Sequence, residues 1–187
     1  MSLRPVGGAV PALERLRMSW EDYLNLPEQP KAEWVDGEVV IVNVPPVPDH
    51  GTAVIKLGAV LLAFFPDDQV MTEVPLMLPR NRLRRPDLMV VAERQHSRWV
   101  SDPPLLCAEV LSPSTRSEDL VRKSREYAEA GVGQYWVVDP DDRTIEVMRN
   151  TDGDWGVSAL LDDDHPEAEI ELAGLVVPLD LRRILRG

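Results

Sequence analysis

Cysteine is almost missing from this chain of 187 residues; Cys107 is the single one. One thiol closes no internal disulfide and excludes a thiolate-rich zinc site. A long hydrophobic run is missing too. The longest apolar stretch, Leu57 to Phe65, is about half of the ~20 residues a bilayer needs, so no membrane span is expected. The N-terminal segment lacks an apolar core of signal-peptide length, and a cytoplasmic location is the default expectation. Histidine is sparse. His50, His96 and His165 have no ligand spacing to one another. Ser112 and Ser114 lack a Gly-x-Ser-x-Gly context, which disfavours a serine hydrolase. Gly131-Val-Gly133 ends a helix-like segment, whereas a phosphate-cradling glycine loop opens one. Nor is there a basic excess: 20 Lys and Arg face 32 Asp and Glu, for a net charge of −12. A uniformly basic nucleic-acid binder looks different.

What is present describes a globular protein. Hydrophobic residues make up 44% and charged residues 28%, which excludes extensive disorder. The length suits one domain over residues 18–187, preceded by a flexible extension over 1–17 that contains Gly7, Gly8 and two prolines. Charge is unevenly spread. Residues 80–133 carry 10 of the 20 basic side chains against 8 acidic ones, while 139–171 carry 2 basic and 12 acidic. The middle segment therefore offers local positive charge to a polyanion, or simply a solvated face.

The patterning alternates helices and strands. Ser19 caps a short helix with Glu21 and Asp22 in its first turn. Asp36-Gly37 between two strand-like runs predicts a hairpin, since both turn positions need positive φ. Asp49 is the expected cap of a second helix with Val54, Leu57, Leu61, Leu62 and Phe65 on one face. Residues 70–78 alternate as a strand, and 87–91 and 105–111 read as short buried strands. Thr115 and Glu118 suggest a capping box for a helix over 117–130. Strands follow at 134–139, 144–149 and 155–161, then a short helix over 179–185. This order predicts an α/β (α+β) domain with one mixed sheet flanked by helices, and a crossover between parallel strands from 105 to 139. The five tryptophans are read as core or interface residues.

Three elements carry chemical interest. Glu109 lies within an apolar strand, where a carboxylate is costly unless paired or bound to a cation. A place at the sheet rim or a salt bridge to arginine would also accommodate it. Asp87 begins the preceding strand after Pro86, either as a turn residue or as a second carboxylate beside Glu109. Two such carboxylates repel unless a cation lies between them, and oxygen ligands suit Mg²⁺ or Mn²⁺. Asp119, Lys123 and Tyr127 share one helix face, so Lys123 either meets the carboxylates or pairs with Asp119 at the surface.

These residues sit in recognisable blocks. The runs Arg85-Pro-Asp-Leu-Met-Val-Val91, Ala108-Glu-Val-Leu-Ser-Pro-Ser-Thr-Arg116, Asp119 with Lys123, and Tyr127 to Pro140 with its Tyr-Trp-Val-Val-Asp-Pro close resemble the bacterial family of putative restriction endonucleases, within the PD-(D/E)XK nuclease superfamily. The hairpin Ala32 to Glu38 and His50 resemble its N-terminal half, and the likeness spans roughly residues 18–185. It implies a restriction-endonuclease-like mixed central sheet flanked by helices and a Mg²⁺ site, with Mn²⁺ as a substitute. Asp87 and Glu109 take the metal positions. The superfamily's lysine would fall at 111, which here is Leu111, and the resemblance implies that Lys123 supplies the function from the following helix. Glu33 is implied as a further catalytic carboxylate, or an exposed hairpin position. Gln134 sits where such sites add a polar group, and His50 is read as a helix-start residue or one behind the site. Arg80, Arg82, Arg84 and Arg85 precede Asp87 and either hold phosphates beside the metal or keep a hairpin soluble; Arg84, Arg85 and Arg116 are the candidate nucleic-acid contacts.

The resulting expectation is a Mg²⁺-dependent endonuclease acting on DNA, with a homodimer as a way to cut both strands. The alternatives are a non-catalytic nucleic-acid- or protein-binding module on a nuclease fold, and an interaction protein using its acidic surface. An electrostatic DNA contact predicts affinity that falls steeply with salt; an affinity flat from low to high salt contradicts it.

Overall fold

Asp36 and Gly37 adopt positive φ, 52° and 87°, and close the hairpin between β2 (Ala32–Val35) and β3 (Glu38–Val42). This is the geometry a two-residue turn needs to match the strand twist. The computed structural model describes residues 13–27, 31–42, 47–94, 96–113 and 115–185. Of the expected extension, 1–12 lies outside the described residues. Residues 13–17 form strand β1 (Leu13–Arg17) and α1 (Trp20–Leu24) follows, capped by Ser19, which accepts from the Asp22 N–H. β1 is a strand because it pairs antiparallel along β3, and from it Arg15 Nη2 reaches to 2.6 Å of Glu118 Oε2.

The second helix, α2 (Pro48–Leu62), begins at Val47 with Pro48 in its first turn. Asp49 therefore lies inside the helix rather than at its cap. Leu57 and Leu61 are buried on the inner face, whereas Leu62 is half exposed. The single strand expected over 70–78 is two, β4 (Val70–Met71) and β5 (Leu76–Leu78). The break falls where Glu73 takes a φ of 58° ahead of Pro75, which cannot donate to a ladder. The arginine-rich stretch contains β6 (Arg82–Arg84), followed by β7 (Leu88–Val90) and β8 (Leu106–Val110). A π-helical segment (Glu118–Lys123) runs directly into α3 (Ser124–Glu129). No capping box forms there: Ser117 is the cap residue, without a side-chain bond, and Glu118 turns inward to arginine.

The chain then builds β9 (Gln134–Asp139), β10 (Thr144–Thr151), β11 (Asp154–Leu161), the hairpin β12 (Glu167–Leu172) and β13 (Leu175–Asp180), and α4 (Leu181–Ile184). The expected mixed sheet has six strands in the order β11-β10-β9-β8-β7-β4, with β8 and β9 parallel and the other neighbours antiparallel. The strands do not all join that one sheet as expected: among the described residues a second, antiparallel sheet, β1-β3-β2-β6-β5, and the β12–β13 pair stand apart from it.

Strand alternation divides the core. Leu106, Ala108 and Val110 face Leu57, Leu61, Trp136 and Val138 on one side of the mixed sheet. Cys107 and Leu111 face Tyr127, Tyr135 and Val137 on the other. Glu109 shares this second side with Cys107 and Leu111, beneath the π-helical segment and α3.

Gly133 carries the crossover into β9, with its backbone against the entry to β8. A Cβ there would lie 2.7 Å from Leu105 O. Gly133→Ala should lower the unfolding free energy by about 1–3 kcal/mol in urea titration, the usual cost of overpacking; an unchanged midpoint would contradict so tight a crossover.

Candidate active site

β7 and β8 pair with Leu88 opposite Ala108 and Met89 opposite Cys107. One step further along that register sets Asp87 opposite Glu109. Both are buried. Asp87 Oδ2 accepts from the Val110 N–H at 2.9 Å, which fixes the carboxylate against β8. His50 Nε2, from the first turn of α2, lies 3.7 Å from the same oxygen. Asp87 Oδ1 faces Lys31 Nζ at 3.2 Å.

Glu109 is met from the helix layer. Lys123 Nζ donates to Glu109 Oε1 at 3.0 Å and the Tyr127 hydroxyl donates to the same oxygen at 2.8 Å. Lys123 also lies 2.9 Å from Asp119 Oδ1 and 3.5 Å from Glu33 Oε1, so one ammonium touches three carboxylates. Position 111 does not compete for this role, because Leu111 is buried in the apolar cluster beside Tyr127.

The helix that delivers Lys123 is irregular. Ser124 N–H reaches back to Asp119 O, five residues earlier, the wide turn of a π-bulge. Side-chain donors brace it: the Tyr135 hydroxyl donates to Asp119 O at 3.0 Å and Trp155 Nε1 to Ser124 O at 2.8 Å.

Glu33 is buried on β2, not exposed on its hairpin. Its Oε1 accepts from the Arg85 N–H and its Oε2 from Arg84 Nη1, each at 2.9 Å. Arg84 has no exposed side-chain surface. It pairs with Glu126 through Nε at 2.6 Å and Nη2 at 2.9 Å, and its Nη1 lies 2.9 Å from Glu118 Oε1. Such an arginine offers nothing to a phosphate, and the expectation of a nucleic-acid contact at Arg84 is corrected on that ground. Arg85 is half-buried, with Nε donating to Glu73 O at 3.0 Å. Arg116 keeps 41% of its side chain exposed and pairs with Asp139 and Asp142, away from these contacts. Gln134 is likewise elsewhere, donating to Glu171 O and accepting from Trp136 Nε1.

Burial and charge act against each other throughout. Burial pushes the Glu33 carboxyl up, but Lys123, Arg84 and Lys31 bring it down to about 2. Burial also raises Asp87, yet Lys31, Lys123 and His50 hold it below the usual carboxylate range. Glu109 stays well above that range, because burial and the facing Asp87 outweigh Lys123. Burial depresses Lys123, but Asp119, Glu109 and Glu33 raise it well above an ordinary lysine, so it remains an ammonium.

Sequence reasoning brought forward Asp87, Glu109, Lys123 and Glu33, and the structure gathers all four. It missed Lys31 and gave Tyr127 no role beyond sharing a helix face with Lys123. Lys31 directly precedes β2 at i, i+2 from Glu33, the spacing that places two residues of extended chain on one face and the signal that was available. The partners of Arg84, Glu118 and Glu126, left no comparable trace.

The comparisons with known proteins agree with this architecture. Residues 20–181 match the family model Uma2, described as putative restriction endonuclease, and the chain belongs to that family. A crystal structure of a putative nuclease belonging to DUF820 from Anabaena variabilis superposes with a TM-score of 0.69 at 19% identity, covering 88% of this chain and 95% of that one. That likeness shows the fold. The search of curated proteins gave no match. Among the described residues, no helix is long and apolar enough to cross a membrane.

Two outcomes follow from the buried charges. Arg84→Ala leaves Glu33, Glu126 and Glu118 short of a counter-ion and should cost about 3–5 kcal/mol in urea denaturation; a loss below about 1 kcal/mol would contradict the cluster. The folded Glu33 carboxyl sits below its ordinary value of 4.5, so the unfolded chain takes up the proton first. Its contribution is whole above about pH 4.5 and is lost as pH falls toward 2, on the order of 3 kcal/mol. Glu33→Gln should flatten that acid limb in stability–pH curves; parallel curves for the two proteins would contradict the assignment.

Proposed function

We propose that this protein is a metal-dependent endonuclease that hydrolyses phosphodiester bonds of nucleic acid, with DNA as the substrate. Family membership supports the nuclease class. The observation that carries the mechanism is Asp87 facing Glu109 across β7 and β8, with Lys123 on Glu109.

The donors present suit a hard divalent cation. Lys123 and Tyr127 both bind Glu109 by Oε1, while Asp87 is fixed by the Val110 N–H at Oδ2 and meets only the rim Lys31 at Oδ1. Among the described residues no group of three or more His, Cys, Asp or Glu forms a cage. One or two carboxylates completed by water and substrate phosphate is the usual Mg²⁺ arrangement. Asp87 and Glu109 are the residues that would hold the ion. When bound, the ion would acidify a water and neutralise phosphate charge.

The chain's own residues supply the rest. Lys123, kept cationic by three carboxylates, stabilises negative charge that develops on the phosphate. Glu33 has both oxygens engaged and acts as a positioning residue, holding Lys123 from the opposite sheet. Tyr127 fixes the Glu109 rotamer. Arg85 and Arg116 remain candidate backbone contacts, and two copies of the chain would supply a site for each strand of a duplex.

Leu111, where the superfamily lysine would stand, favours the second reading, a non-catalytic binding module on a nuclease fold. Lys123 answers it by bringing an ammonium to the same carboxylate from the helix.

Plasmid cleavage with Mg²⁺ or Mn²⁺, beside Mn²⁺ calorimetry, separates the two. Asp87→Ala and Glu109→Ala should each abolish saturable Mn²⁺ binding and cleavage. Lys123→Arg, which keeps the charge shared by Glu33, Glu109 and Asp119, should keep Mn²⁺ binding, and Lys123→Ala should lose stability and, in protein that is folded by circular dichroism, lose about 10²–10³-fold in turnover. Mn²⁺ binding indifferent to both carboxylates would overturn the site, and wild-type turnover in Lys123→Ala would overturn the lysine's role.

A further inference from the structure

Two lysines reach this site, and they are held differently. Lys123 is enclosed among Glu109, Asp119 and Glu33, with 5% of its side chain exposed. Lys31 stands at the rim with 19% exposed, between Asp87 Oδ1 at 3.2 Å and Glu73 Oε1 at 3.0 Å. Glu73 is itself 46% exposed, so Lys31 bridges the interior of the site and its mouth.

The oxygen that Lys31 occupies matters. Asp87 Oδ2 is committed to the Val110 N–H, with His50 Nε2 3.7 Å away. Oδ1 is therefore the oxygen left to an incoming cation, and it is the one the Lys31 ammonium contacts. A divalent ion and an ammonium on one carboxylate oxygen repel strongly. Binding of the ion thus requires Lys31 to leave.

The surroundings provide for that move. The Lys31 main chain is fixed, its carbonyl accepting from the Val42 N–H at 2.9 Å, so only the side chain need swing. The Glu73 main chain is held as well, its N–H donating to Pro86 O at 3.2 Å and its carbonyl accepting from Arg85 Nε, which keeps its carboxylate within reach of Lys31. An ammonium released from Asp87 and kept by Glu73 would stay at the exposed edge of the site, where it could meet an anionic substrate.

We propose that Lys31 is a tethered cation that covers Asp87 Oδ1 in the metal-free protein, yields to a divalent ion, and then binds the phosphate of the substrate strand. This rests on the two-carboxylate metal reading above.

The test is Mn²⁺ calorimetry on the wild type, Lys31→Met, Glu73→Gln and the double variant. Lys31→Met removes the competitor at similar volume and should tighten Mn²⁺ binding by roughly tenfold. Glu73→Gln removes the alternative anchor and should weaken Mn²⁺ binding in the wild type, with a smaller effect in the Lys31→Met background. With Ca²⁺ as the ion, Lys31→Met should weaken a short labelled duplex DNA and lower the salt slope by about one. Equal Mn²⁺ affinity in the wild type and Lys31→Met leaves the carboxylate site standing and overturns the competition. An unchanged duplex affinity and slope overturns the phosphate role. Absence of Mn²⁺ binding in both proteins overturns the metal reading, and this inference with it.

Discussion

A single ammonium, that of Lys123, stands between three buried carboxylates drawn from three different elements. Glu109 comes from the mixed sheet, Glu33 from the antiparallel sheet and Asp119 from the π-helical segment. Carboxylates without a counter-charge do not survive burial. Lys123 therefore ties the packing of the two sheets and the helix layer to the presence of one charge, and Arg84 repeats the device a few ångströms away with Glu33, Glu118 and Glu126. Glu33 belongs to both sets and links them.

This arrangement accounts for features that are otherwise costly. The π-helical turn gives up regular helix geometry, and it buries Glu118, Asp119 and Lys123 together. Tyr135 and Trp155 take up carbonyls along that turn, so the irregularity is supported from the sheet. The register of β7 on β8 does the complementary work, setting Asp87 across from Glu109 and fixing it by a backbone donor. The cluster is thus set on strands, on residues that directly precede strands, and on a braced helix.

Much of this could be read from residue order. The Asp36-Gly37 hairpin, the apolar face of α2, the short buried strands and the mixed sheet follow from periodicity and turn chemistry. What escaped reading depended on tertiary partners. β1 has no strong strand pattern and exists by pairing with β3. The β12–β13 hairpin turns through Ala173 and Gly174, both at positive φ, and Ala173 gives no turn signal of the Asn-Gly kind. Within the site, Asp87, Glu109 and Lys123 were legible because a charged residue in an apolar strand or on a helix face stands out. Arg84 read as one of a run of surface arginines, because its burial depends on glutamates 42 and 51 positions away in the chain. Lys31 left one weak signal, its i, i+2 spacing to Glu33, while its partners Glu73 and Asp87 lie 42 and 56 positions away.

The central claim is that Asp87 and Glu109 together form a divalent-cation site. Anomalous diffraction from crystals of the wild-type protein soaked in Mn²⁺ locates the ion without any choice of substrate. The account predicts one strong peak within about 2.0–2.6 Å of an oxygen from each carboxylate, with Lys31 displaced from Asp87. A peak at other residues, or none while Lys31 still contacts Asp87, would contradict it.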